Sequence, residues 1–88
     1  MPALTLLTRP GCHLCDDARD VVSAVIEELG GEASAGPITL EERSIVDDAE
    51  LLARYSEEIP VLLIDGRVHN IWRIDPERLR SALTTAAP

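Results

Sequence analysis

Both cysteines of the chain stand in one short segment, Thr8-Arg9-Pro10-Gly11-Cys12-His13-Leu14-Cys15-Asp16-Asp17. With two residues between them, they admit three chemistries: a dithiol that exchanges with disulfides, two ligands of a metal site, or a structural staple. The segment follows a short apolar run, Ala3 to Thr8, which reads as a strand. After it, Leu14, Ala18, Val21, Val22, Val25, Ile26 and Leu29 recur at helical spacing, with Asp16, Asp17, Asp20, Glu27 and Glu28 on the other side. The cysteines are therefore predicted at a strand-to-helix junction, where unpaired amide hydrogens and the positive end of the macrodipole favour a thiolate. Cysteines so placed, or in a C-x-x-C pair, titrate at roughly 3.5 to 7.5. Cys12, at the exposed start, is expected to attack, and Cys15, one turn on and facing inward, to resolve. Arg9 and a protonated His13 add positive charge near the sulfur, whereas Asp16 and Asp17 oppose it.

The rest of the chain supplies the frame. Gly30-Gly31 ends the first helix, and small residues through Ser34-Ala35-Gly36-Pro37 form a linker. Ile38 to Val46 is a second strand interrupted by Glu41, Glu42 and Arg43. Asp47-Asp48-Ala49-Glu50 resembles an amino-terminal cap, opening a short helix with Leu51, Leu52 and Tyr55 inward. Val61-Leu62-Leu63-Ile64 is too continuously apolar for an edge and belongs inside the sheet. Asp65-Gly66 is a two-residue hairpin turn, and Arg67 to Trp72 the returning strand. Asp75-Pro76 caps and starts a last helix with Leu79 and Leu83 inward, and Thr84 to Pro88 is expected to fray. The order is βαβαββα: one α/β domain over residues 1–88, with a four-stranded mixed sheet flanked by three helices. Strands joined through helices are expected to pair in parallel, leaving the hairpin as the antiparallel partner.

Composition excludes several partners. A net charge of −8, with eight scattered arginines as the only Lys or Arg residues, does not make a phosphate-binding surface, so no nucleic acid is expected. The amino terminus lacks a basic start, and no apolar run approaches membrane-spanning length, so neither a secretory signal nor a membrane is expected. A cytoplasmic location follows as the default, and a static disulfide does not fit that reducing compartment.

The segments TLLTRPGCHLC, DDAELLARY and IPVLLIDG, in this order and spacing, resemble glutaredoxin-like proteins of the thioredoxin-fold superfamily, from Leu4 to about Leu83. The resemblance implies a thioredoxin fold and a thiol-disulfide oxidoreductase carrying electrons through Cys12 and Cys15. It also implies a cis bond at Ile59-Pro60 beside the cysteines, with the Ile59 backbone free to hold a substrate's extended chain. A simple two-residue hairpin would set Ile64 opposite Arg67, Leu62 opposite His69, Pro60 opposite Ile71 and Ile59 opposite Trp72, so that Trp72 and Arg73 flank the proline. The expected partners are a disulfide-containing protein or a thiol substrate, with a reductase or glutathione as electron source and no bound cofactor. One departure bears on glutathione. Many glutaredoxins bind it with a Gly-Gly-x-Asp segment, where this chain has Ile71-Trp72-Arg73-Ile74-Asp75-Pro76, without a glycine pair and with a proline that lacks an amide hydrogen.

Two further readings remain open on the residues. A metal or iron-sulfur module would need ligands from Cys12, Cys15, His13 and His69, although His69 falls about 7 Å along its strand from the level of the proline. A thioredoxin-fold scaffold that binds a partner without turnover is the other, since a fold does not dictate a function.

Overall fold

The structure, a computed structural model, describes residues 2–84. It contains β1 (Ala3–Thr8), α1 (His13–Glu28), β2 (Glu32–Ala33), β3 (Gly36–Pro37), β4 (Thr39–Ser44), a 3₁₀ turn (Ile45–Asp47), α2 (Ala49–Tyr55), β5 (Val61–Ile64), β6 (Arg67–Ile71) and α3 (Pro76–Thr84). The main sheet runs β4-β1-β5-β6, a four-stranded mixed sheet with three helices, as expected. The expectation of a frayed end from Thr84 to Pro88 falls, beyond Thr84, outside the described residues. Thr84 itself is helical, its hydroxyl donating to the Arg80 carbonyl at 2.8 Å.

Side chains alternate across β1, and so do its partners. Leu4 and Leu6 pack with Ala18, Val22 and Val25 of α1 and with Leu79 and Leu83 of α3. Leu7 instead joins Cys15, Ile45, Ile59 and Val61, with Leu51 and Tyr55 of α2 against them. Two helices thus cover one face, and a second, smaller cluster beside α2 surrounds a cysteine. An ion-pair chain fastens α1 to the edge strand: Arg19 meets Asp16 at 2.8 Å and Glu42 at 2.5 Å.

Several expectations are corrected. β1 pairs in parallel with β4, but it pairs antiparallel with β5, so the hairpin is not the sole antiparallel partner. The reason is that β4 ends beside Thr8 and β5 begins beside Leu7, at the same end of the sheet. The connection through α2, whose seven residues span only about 10 Å, does not carry the chain back. Leu52 of α2 is exposed, because a two-turn helix presents one i,i+4 pair to the sheet, here Leu51 and Tyr55. The second strand stops at Ser44, where Ile45 turns inward to complete burial. The linker contains a small hairpin, β2 with β3, and Ser34 within it binds the end of α3 through Leu83 and Thr84 carbonyls. Those carbonyls belong to the last turn of a helix and have no partner within it.

The hairpin turn forms as expected, with φ of 51° at Asp65 and 83° at Gly66, the left-handed pair that a two-residue connection needs. Its register then slips. Leu63 faces Val68, but Leu62 faces Asn70 and Val61 faces Ile71, so His69 is an extra residue in a β-bulge. The expected pairings of Leu62 with His69, Pro60 with Ile71 and Ile59 with Trp72 are thereby shifted by one. Trp72 instead donates its backbone N–H to the Pro60 carbonyl at 2.8 Å.

Candidate active site

Cys12 occupies the N-cap of α1, the position where a serine or aspartate oxygen commonly accepts an amide hydrogen. Here a sulfur does so: Cys15 N–H donates to Cys12 Sγ at 3.2 Å. Gly11, at φ 73°, makes the left-handed turn that brings the chain off β1 into this cap. A thiolate at Cys12 would face the positive end of the helix and a bonded amide hydrogen, both of which favour negative charge. Cys12 is half-buried, and Cys15, one turn on, is 1% exposed; both are free thiols.

Burial, first, and the hydrogen bond with Cys12, second, push the Cys15 thiol up to about 11, while a hydrogen bond from the Arg9 main chain pulls it down. The pair is therefore asymmetric, with a half-buried sulfur at the helix cap in front of a buried sulfur held as a thiol. The Ile59-Pro60 bond is cis, as the resemblance implied. Ile59 packs in the same cluster as Cys15, with Cys12 against it. Among the described residues, the Ile59 main chain makes no hydrogen bond.

The structure brings most of the expected site residues together. Arg9 and His13 project from the segment around Cys12, both exposed. Of the two acids expected to oppose a thiolate, Asp16 is paired with Arg19. Trp72 lies beside the cis-proline through a contact different from the expected register, and Arg73, next in the chain, is exposed. The Trp72 indole donates to the Glu57 carbonyl at 3.1 Å, and its φ of 62° lies in the left-handed region, uncommon for so bulky a residue. His69 lies apart from the cysteines, along β6 past Asn70 and Ile71. Among the described residues its Nε2 is buried without a hydrogen-bond partner, and burial holds its pKa below the usual histidine value. Among the described residues, no three His, Cys, Asp or Glu side chains converge as a metal site.

Sequence reasoning missed the roles of the Arg9 main chain and the Glu57 carbonyl, since backbone partners leave no trace in residue types. It also missed a cleft along α1 that Leu14, Ala18 and Val21 line opposite Trp72 and Ile74. A signal for that cleft was present. The apolar stripe of α1 is wide, and its margins, Leu14 and Val21 among them, stay half-buried once the sheet and α3 cover its middle.

A C-x-x-C pair at the mouth of the first helix, beside a cis-proline and on a sheet ordered β4-β1-β5-β6, defines a thioredoxin-fold protein. Known structures agree. Mitochondrial thioredoxin 3 from Saccharomyces cerevisiae, in its oxidized form, superposes with a TM-score of 0.62 at 10% identity, over 93% of this chain and 76% of that one, a likeness of fold alone. The chain belongs to the family described as Glutaredoxin-like domain (DUF836), whose model matches residues 3–84. A structural-genomics target protein from X. campestris, solved by X-ray, is 36% identical with a TM-score of 0.68, covering 91% of this chain and 93% of that one. An uncharacterized protein of Mycobacterium tuberculosis is 32% identical over 80 residues, 91% of this chain and 80% of that protein. No helix among the described residues is long and apolar enough to cross a membrane.

Proposed function

We propose that the protein is a thiol-disulfide oxidoreductase of the glutaredoxin-like kind, exchanging its Cys12/Cys15 dithiol with disulfides of protein or small-molecule substrates. The observation that carries this reading is the Cys12 sulfur at the α1 N-cap, bonded to the Cys15 amide, with the Cys15 thiol buried behind it. The Cys12 thiolate attacks one sulfur of a substrate disulfide, a Cys12-substrate bond forms, and the other half leaves as a thiolate. Cys15 then loses its proton and attacks Cys12. An intramolecular disulfide forms, the second substrate thiolate departs, and two electrons have passed from protein to substrate.

The free main chain of Ile59 suits pairing with an extended substrate backbone, beside Pro60, whose ring offers no N–H. Arg9, His13, Trp72 and Arg73 form the rim that a bound substrate would touch. The cycle needs no resident cofactor. It closes when glutathione or a dedicated reductase returns two electrons, and it fits the cytosol, where thiols are kept reduced.

Trapping tests the assignment. Cys15→Ser should accumulate mixed disulfides through Cys12, and Cys12→Ser should trap none. Equal trapping by the two variants would defeat the roles given to the sulfurs. Turnover supported by either glutathione or a thioredoxin reductase would identify the electron source, and turnover with neither would remove the activity.

A further inference from the structure

Two depressions, of about 490 Å³ beside the β5–β6 hairpin and about 460 Å³ between α1 and β4, contain no cysteine. A smaller cleft of about 120 Å³ likewise has no cysteine in its walls, but includes Leu14 of the C-x-x-C segment and Trp72. Leu14, Ala18 and Val21 form one wall and Trp72 and Ile74 the other, with the exposed charges of Asp17 and Arg73 also lining it. Trp72, in one wall, is bonded to the Pro60 carbonyl, and the neighbouring Ile59 packs with Cys12 and Cys15, so the cleft opens beside the site of exchange.

We infer that this cleft is a specificity pocket that seats one aliphatic side chain of a polypeptide substrate while that substrate's cysteine is bonded to Cys12. The inference rests on the exchange reaction proposed above. Three features support it. The walls are mainly apolar, formed by Leu14, Ala18, Val21, Trp72 and Ile74 beside the exposed charges of Asp17 and Arg73, and an aliphatic side chain gains by leaving water against them. The size is suitable, since an apolar cavity of about 150 Å³ holds a benzene, and about 120 Å³ suits a leucine-sized group. The Trp72 wall is also preformed: its backbone N–H is bonded to the Pro60 carbonyl and its indole N–H to the Glu57 carbonyl, so little ordering remains on binding.

The neighbouring start of α3 does not offer glutathione an alternative anchor. Asp75 Oδ1 accepts from the Glu77 and Arg78 amides, and Pro76 has no amide hydrogen. A polypeptide with an apolar residue near its reactive cysteine therefore matches this surface better than the charged tripeptide does. Seating the side chain adds no redox step. The bond formed is still Cys12 to substrate sulfur, and the bond broken is still the substrate's disulfide.

The test uses the reduced full chain and hexapeptides whose single cysteine is capped as a mixed disulfide with 5-thio-2-nitrobenzoate. One leucine is moved through successive positions on either side of the cysteine, in a glycine and serine background, and glutathione capped in the same way is the comparison. Release of the coloured thiolate reports the second-order rate. Leucine at one favoured position should raise that rate about tenfold or more above both the leucine-free peptide and the glutathione adduct. Filling the cleft with Val21→Phe, or opening it with Trp72→Ala, should bring the leucine-to-glycine rate ratio close to one. Equal rates for every leucine position, all well above those of free cysteine, would leave the exchange reaction standing and overturn the pocket. So would a rate advantage unchanged in both variants. Rates no faster than those of free cysteine would overturn the exchange reading together with the pocket.

Discussion

Raising the pH should destabilise the reduced protein more steeply than it destabilises a Cys15→Ala variant, by an amount that follows from burial. Cys15 is 1% exposed, among Leu7, Ile45, Ile59 and Val61, and its thiol is pushed up to about 11 from 9.0. The folded state thus holds the Cys15 proton more tightly than the unfolded state does. That contribution to stability is complete below the unfolded value of 9.0 and is lost as the pH rises through about 11. At 1.36 kcal/mol for each tenfold change in proton affinity, the whole contribution is on the order of 2 to 3 kcal/mol, and most of it is gone by about pH 11. Urea unfolding of both proteins, kept reduced and followed by far-ultraviolet circular dichroism from about pH 8 to about pH 11, gives the comparison. Groups away from Cys15 are common to the two proteins, so the difference in unfolding free energy reports Cys15 together with its hydrogen bond to Cys12. The stability advantage of the parent at about pH 8 should shrink by about 2 kcal/mol across the range. An advantage that stays constant would refute the placement of Cys15 as a thiol that the fold protects from ionising.

Other expectations follow from the same geometry. Iodoacetamide should modify Cys12 in the folded protein and reach Cys15 only on unfolding; the reverse order, by peptide mapping, would contradict the exposures of the two sulfurs. Trp72 emission should change when the cysteines are oxidised, because the indole faces Leu14 across the cleft, and a spectrum indifferent to redox state would count against that neighbourhood. Gly66→Ala should cost about 1 to 2 kcal/mol in chemical denaturation, since φ there is 83° and an added Cβ would meet nothing within 4 Å, leaving conformation as the whole penalty. Leu79→Ala, which removes a fully buried side chain between α3 and the sheet, should cost about 2 to 5 kcal/mol and lower the unfolding midpoint accordingly.

What the residues announced and what they concealed divide along physical lines. The α1 stripe, the Asp48 and Asp75 caps and the Asp65-Gly66 turn are local devices, and each was legible because its hydrogen bonds are made within a few residues. The cysteine pair was legible for the same reason, as Cys12 and Cys15 interact across one turn. The cis bond at Ile59-Pro60 came from family resemblance and not from any local preference. The bulge at His69 was hidden because an extra residue in a strand depends on how β6 must follow the twist of β5, which an alternation pattern does not encode. It moved Trp72 one position along the register yet left it beside Pro60. The exposure of Leu52 and the half-buried margin of the α1 stripe were likewise set by what packs against them.

The central claim, that Cys12 and Cys15 form one reversible two-electron couple, is tested most directly by equilibrating the protein in glutathione buffers of graded poise, quenching with acid and weighing the intact chain. A single transition is predicted, from two free thiols to a Cys12–Cys15 disulfide with two hydrogens lost. Thiols that persist in the oxidising buffers, or separate glutathione adducts on each cysteine with no bond between the two, would contradict it.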